Sequence, residues 1–523
     1  MFQSENPSED AFPRLVLPYI IDRSRSYGRY VSFGRRDSMA DGLGRRRVVV
    51  DFSSPNIPSI FEGRHLRSTI LGAFIANLHE WMGWDVVRLN YLGDWGKPIG
   101  LLGVGWQRFG SEDAYKIDPL GHLMQVYHRI HELFAPEHAS YQKARDDVLH
   151  GKIPEGGKDP AQIESEGLHA ERNAFFKRME DGEAKAIHLC KRVREESINQ
   201  YVQLYAQLGI IFDDYSGESQ VSHESMMEVE ELLKSKGLCE KSDGALIVDL
   251  KKYKLNVGII RDRAGSNTYL LRDIAAVLER SRKYSFDKML YVVAGQNVHF
   301  CRVIKILELL DMKELADKLQ HVPLSEKSSM VDTLGQENAT LEEILCRCQQ
   351  AMLESLQANE AKAAVLEDSV QATATVGASA LIAQELSTKK SHEHVFNLSS
   401  MTSFEPTTGP SLRWLYAKLS SAIASCSKET DITGEDWAKL EDEEMNLLRL
   451  LIQWPDIVQS VYKSLEPSTV MVYLKSVSGN LICCFDKLEG LDNLSPVHAL
   501  LFRASHIVLK TALQLTGILP THR

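Results

Sequence analysis

The chain has 523 residues, 44% apolar and 25% charged, with a formal net charge of −11. That length exceeds what one hydrophobic core holds, so about three domains are expected. The acidic balance argues against non-specific nucleic-acid binding by the whole molecule and leaves only local basic runs, such as Arg35-Arg36, Arg45-Arg46-Arg47 and Lys389-Lys390.

The eight cysteines are scattered with no C-x-x-C pair, so neither a disulfide framework nor a metal site is expected. No apolar run reads as long enough to cross a membrane, and the first residues carry no signal-peptide pattern. A cytoplasmic enzyme without a membrane partner is the default expectation.

In chain order, Phe12 to Ile21 reads as a short helix limited by Pro13 and Pro18, and Gly28 to Arg45 as loop. Val48 to Phe52 is short, β-branched and mostly apolar, as a buried parallel strand should be. Pro55 stops it at Ser53-Ser54. Leu66, Ile70, Phe74 and Leu78 then recur every four residues up to Gly83, predicting a helix, and Asp85 to Tyr91 reads as a second strand. This βαβ unit places its first loop and helix start at the carboxyl edge of a sheet, where α/β proteins bind ligands. The two-glycine loop Tyr91 to Lys97 follows at the same edge.

From Trp106 to about Leu208 the chain reads as helix with a break at Lys152 to Lys158, a long insertion between two halves of a sheet. Asp243-Gly244 is a turn before the strand Ala245 to Asp249. A second βαβ pattern is read from Val257 to Arg261, through a helix over Tyr269 to Tyr284, to a strand over Phe286 to Val293. Tyr269 and Asp273, four apart, face the same way. Leu324 to Ser329 reads as loop, and helices follow from about Thr340 to the end.

Several colinear blocks resemble the eukaryotic class I arginyl-tRNA synthetases. They are Phe52 to Asn56, His65 to Ile70, Asn90 to Lys97, Tyr215 to Gln220, Tyr269 to Asp273, Asp287 to Ala294 and Met401 to Glu405. The resemblance implies an α/β fold: a class I aminoacyl-tRNA synthetase-like Rossmann core with a helical insertion, then a C-terminal all-α bundle of the anticodon-binding kind. The implied domains are an N-terminal extension at 1–45, the core at 46–322 with its insertion at about 106–245, a linker and signature-loop region at 323–380, and the bundle at 381–523. By position, Asp51 matches an acidic residue near the guanidinium of arginine and Asp273 its main carboxylate partner. Tyr269 matches a pocket wall. Asn56 and Gln296 match groups that hold the amino end, although the Gln296 loop is one residue short. A guanidinium keeps its charge and so needs carboxylates in fixed geometry.

The nucleotide half departs from the family. Its His-x-Gly-His signature stands here as Glu62-Gly63-Arg64-His65, which puts an anion and bulk where a triphosphate would approach. Leu324-Ser325-Glu326-Lys327-Ser328 is a remnant of the second signature. Only about 50 residues precede the core, which leaves out the family's N-terminal tRNA-elbow domain. Ser411 stands where an aromatic usually follows Gly409-Pro410. This pattern is similar to the fungal arginine-containing cyclodipeptide synthases. It implies condensation of arginine, from arginyl-tRNA, with a group from a second aminoacyl-tRNA to give a diketopiperazine for secondary metabolism, without ATP. Glu62 or His65 would be the base, and Ser53, Ser54 or Ser68 could carry a transient acyl group. The competing expectations are an arginine–tRNA ligase with an altered signature, which would use ATP, and a catalytically dead relative that binds tRNA or arginine.

Overall fold

The fold is built around β1 (Arg47–Phe52), the middle strand of a five-stranded parallel sheet of order β3-β2-β1-β7-β8. Its flanking partners are β2 (Asp85–Leu92) and β7 (Lys288–Ala294), with β3 (Asp214–Gly217) and β8 (Leu319–Leu324) at the edges. The computed structural model describes residues 11–36, 44–57, 63–150, 159–263, 265–295, 297–325, 328–329, 340–366, 370–425, 437, 440–487 and 494–519. Val48, Val49, Val50 and Phe52 are all fully buried, as a central strand covered on both faces requires.

The first βαβ unit forms as its residue pattern predicts. Helix α1 (Ala11–Arg23) precedes it, and α2 (Gly63–Trp81) crosses over from β1 to the parallel β2. The crossover is tight at Gly72, where a Cβ would fall 2.2 Å from that of Phe52. Only glycine lets the helix axis lie this near the strand. Gly83, at φ +88°, turns the chain from the helix into β2.

Helix α3 (Lys97–Phe109) begins at the carboxyl end of β2. The insertion continues as α4 (Glu112–Ile117), α5 (Pro119–Leu149), α6 (Pro160–Glu164), α7 (Gly167–Glu180) and α8 (Ala184–Gln207). The chain then rejoins the main sheet as β3. The expected break at Lys152 to Lys158 lies outside the described residues.

The second βαβ reading is corrected. After α9 (His223–Ser235), strands β4 (Glu240–Ser242), β5 (Ala245–Asp249) and β6 (Val257–Arg261) form their own three-stranded antiparallel sheet. The hairpin turns at Asp243 and Gly244, both at positive φ, as a two-residue turn of that kind demands. Burial alternates along β6, which has one wet face, whereas β7 is buried over four consecutive residues. Helix α10 (Tyr269–Tyr284) therefore leads from the small sheet into the large one. Helix α11 (Asn297–Leu309) and the short α12 (Lys313–Ala316) connect β7 to β8.

Among the described residues two large cores hold the molecule, beside a small cluster of Met352, Leu356 and Val376. One lies on the α10–α11 face of the sheet and continues under β5 and β6. The other runs from the α2 face through the insertion and into the C-terminal helices without a break. Those helices include Val370–Ser387, Gly409–Ser425, Asp442–Leu451, Trp454–Ser464, Ser468–Lys487 and Pro496–Thr516, and α1 packs on them rather than on the sheet. Contrary to the sequence reading, Ser468–Lys487 is long and apolar enough to cross a membrane by length and composition. It packs on the neighbouring helices of the bundle, which accounts for its apolar character.

A buried ion pair ties the sheet-bearing half to the bundle. Arg67 of α2 donates from Nη1 to Glu385 Oε2 at 2.8 Å and from Nη2 to the Lys389 carbonyl at 2.8 Å, with the two side chains 2% and 0% exposed.

Candidate functional site

A cavity of about 1050 Å³ opens at the carboxyl edge of the sheet, lined from β1, β2 and β7, the starts of α2, α3, α10 and α11, and the turn after β3. It joins Asp51, Asn56, His65, Tyr269 and Asp273, five residues singled out from the sequence. Glu62 and Gln296, the other two, lie outside the described residues.

The floor is formed where β1 ends. Ser53 and Ser54 both take positive φ, which non-glycine residues rarely adopt, and a set of hydrogen bonds over-determines them. The Ser53 amide donates to Ser68 Oγ at 2.9 Å and the Ser54 amide to Asn90 Oδ1 at 3.2 Å. Ser53 Oγ lies 2.6 Å from Tyr205 Oη and 2.8 Å from Thr69 Oγ1. Ser54 Oγ donates to Asp51 at 3.0 Å, and Ser68 Oγ to the Val292 carbonyl at 2.5 Å. All three hydroxyls weighed as acyl carriers are therefore occupied in holding the strand end in shape.

Asp51 is also engaged. Arg280 Nη1 donates to its Oδ2 at 3.1 Å, and both side chains are buried. Burial pushes the Asp51 carboxyl up from its ordinary range, and the Arg280 charge and the Ser54 hydroxyl pull it back. Arg280, held by Asp51 and packed at 4.3 Å over the Tyr91 ring, is pushed to still higher pKa. The carboxylate expected to face a guanidinium thus already has one, seven residues beyond Asp273 on the same helix.

Asp273 is placed differently. It lies one turn into α10, below Tyr269, which is 58% exposed at the cavity mouth. Its Oδ2 is 2.6 Å from His299 Nε2, and the Tyr269 and His299 rings lie 5.0 Å apart. Glu218, in the 3₁₀ turn after β3, also lines the cavity. Burial and then the Asp273 charge push its carboxyl up to about 8. Its carbonyl accepts from Arg272 Nη1 at 2.8 Å, and Arg272 lies over the Trp95 ring. Asn56 stitches the two edge loops together: it bridges to Gly93, whose hydrogen a Cβ could not replace without meeting Asn56 Oδ1 at 2.1 Å.

Glu218, Arg280 and His299 were missed from sequence. Glu218 belongs to the resemblance block Tyr215 to Gln220, and Arg280 to the α10 face of Tyr269 and Asp273. Those were the available signals. Five buried polar atoms of cavity-lining residues find no hydrogen-bond partner among the described residues: Tyr91 Oη, Trp95 Nε1, Asn267 Oδ1, Arg280 Nη2 and His299 Nδ1. A buried donor or acceptor left unmade costs about 1–3 kcal/mol, so a polar ligand that satisfies several of them is favoured here. Among the described residues no three His, Cys, Asp or Glu side chains gather as a metal site.

Comparison with known proteins identifies two family regions. Residues 35–398 match the class I tRNA synthetases (R) catalytic domain, and residues 414–523 match the DALR anticodon-binding domain. The cytoplasmic arginine–tRNA ligase of Saccharomyces cerevisiae is 37% identical, covering 98% of this chain and 80% of its own. The probable cytoplasmic enzyme of Schizosaccharomyces pombe is 35% identical over 100% and 83%, and the mitochondrial enzyme of S. cerevisiae 34% over 92% and 72%. The solved arginyl-tRNA synthetase of Plasmodium falciparum superposes with a TM-score of 0.72 at 19% identity, covering 96% of this chain and 82% of that one. These near full-length matches to ligases overturn the expected cyclodipeptide synthesis, with its second aminoacyl-tRNA and its place in secondary metabolism. The departures at Glu62 and Arg64 are local changes in a chain whose similarity runs from end to end.

Proposed function

The chain belongs to the class I arginyl-tRNA synthetase family, and from that premise we propose that it is an arginine–tRNA ligase. Arginine and ATP give arginyl-adenylate and pyrophosphate when the arginine carboxylate attacks the α-phosphorus. A terminal ribose hydroxyl of the tRNA then attacks the activated carbonyl, and AMP leaves. The observation that carries the arginine side is the pair Asp273 and Glu218, two carboxylates from different elements converging on one cavity. A guanidinium there gains charge-assisted bonds in a fixed geometry. Tyr269 walls the mouth, Asn56 lies at the rim, and Asp51 acts through Arg280 to fix the floor.

On the nucleotide side, His65 and the first turn of α2 border the cavity, and a helix start offers free amides to phosphate. His65 is the residue proposed to meet the reacting phosphate. For the partner, the residues matching an anticodon-binding domain support tRNA binding by the C-terminal helices. The cytoplasmic relatives support a cytoplasmic site of action, and the mitochondrial ones are also similar.

Arginine-dependent ATP–pyrophosphate exchange with tRNA present, followed by charging of tRNA with labelled arginine, tests this reading. Both activities are expected, and arginine binding with neither activity would overturn it. One observation favours a second reading, a non-adenylating binder of arginine and tRNA: the residues Glu62 and Arg64 in the first signature. In that case the double variant Glu62→His, Arg64→Gly gains exchange that the natural chain lacks.

A further inference from the structure

His299 sits in the first turn of α11, 8% exposed, with Nε2 2.6 Å from Asp273 Oδ2. An ionised carboxylate only accepts, so the shared proton belongs to Nε2. Nδ1 is buried and has no hydrogen-bond partner among the described residues. A proton there would be a buried donor without an acceptor, which costs more than a bare lone pair. Geometry therefore selects the neutral imidazole with its hydrogen on Nε2.

The ring is also held in place. Tyr269 packs at 5.0 Å and Phe300 at 5.2 Å; Phe300 stacks on His321, whose Nε2 lies 3.0 Å from the Val293 carbonyl. Among the described titratable groups, Asp273 bonds to His299, Tyr269 packs on its ring and His321 lies beyond Phe300. Arg302 is turned to the Leu255 carbonyl at 2.8 Å. Asp273 is the carboxylate in direct contact.

We propose that His299 is a positioning residue for the guanidinium site: neutral, it donates to Asp273, fixes that carboxylate toward the cavity and leaves its charge for a cationic side chain. The inference rests on the arginine reading above.

The test measures arginine binding by calorimetry and the arginine KM of pyrophosphate exchange. It compares the natural protein with His299→Gln and His299→Leu. His299→Gln keeps a donor at the same place and should stay within about threefold of the natural protein in arginine affinity and KM. His299→Leu removes the donor, so KM should rise about tenfold or more with kcat nearly unchanged, the loss of one charge-assisted bond. A Gln variant as weak as the Leu variant, or a Leu variant that lowers kcat and spares KM, would overturn the role. No arginine binding by the natural protein would overturn the arginine reading and this role with it. Binding that is the same in all three proteins would overturn this role alone.

Discussion

Glu218 offers the sharpest test of the cavity's charge. Its carboxyl is pushed up to about 8 by burial and by the Asp273 charge. An acid with that value is ionised in about one molecule in eleven at pH 7 and in about ten in eleven at pH 9. A guanidinium binds the ionised form. Raising the pH therefore raises its affinity, by about tenfold over that range, and binding at pH 7 expels about 0.9 proton per arginine. The sign is fixed: the raised value penalises the charged form that the ligand needs, so the penalty is present at neutral pH and lifts as pH passes about 8. Glu218→Gln removes the titration while leaving its carbonyl bond to Arg272 in place. Isothermal calorimetry in two buffers of different ionisation enthalpy counts the protons, and the difference between natural protein and variant removes the ligand's own titration. Equal proton release and equal pH dependence in both proteins would refute the argument.

Two further outcomes are expected. Asp273→Asn keeps the side-chain shape and removes the charge, so arginine binding should weaken by about 2–5 kcal/mol while the melting temperature stays within a few degrees; calorimetry and a thermal scan read both. Arg67→Met should destabilise by about 3–5 kcal/mol, because Glu385 is left buried and unpaired, whereas Arg67→Met with Glu385→Leu should recover most of that loss. Thermal unfolding of the single and double variants decides it, and a double variant no better than the single would refute the assignment.

The sequence-visible parts of the fold are those with a strong period. β1, α2 and β2 follow from the apolar run Val48 to Phe52 and the fourfold spacing of Leu66, Ile70, Phe74 and Leu78. β3 escaped because Asp214-Tyr215-Ser216-Gly217 is a polar four-residue edge strand with no pattern to read. β8 escaped because Pro323 demotes a strand, and this one is at the sheet edge, where proline is tolerated. β6 was assigned to the wrong sheet because a short apolar run looks the same in a parallel core and in a small antiparallel ribbon. At the site, helical spacing put Tyr269 and Asp273 on one face of α10, and only the resemblance gave them roles. The Asp51–Arg280 pair was not, since its members stand 229 positions apart. Without that pair Asp51 reads as a free carboxylate, and with it Asp51 is part of the frame.

The two halves of the cavity hang on different elements, and this separates two questions that one activity assay merges. The proposed arginine side is built from α10, α11 and the turn after β3, through Asp273, His299 and Glu218. The proposed nucleotide side includes His65 of α2, and Glu62 and Arg64, which stand just before it in sequence, depart from the family's signature. Neither position belongs to the elements that carry Asp273, His299 and Glu218. Arginine affinity is therefore expected to survive any weakening of adenylation, and weak pyrophosphate exchange alone says nothing against the arginine site. Equilibrium binding of arginine without ATP isolates one half. Exchange in Glu62→His, Arg64→Gly isolates the other. If that double variant altered arginine affinity by more than about threefold, the halves would be coupled and the separation drawn here would fail.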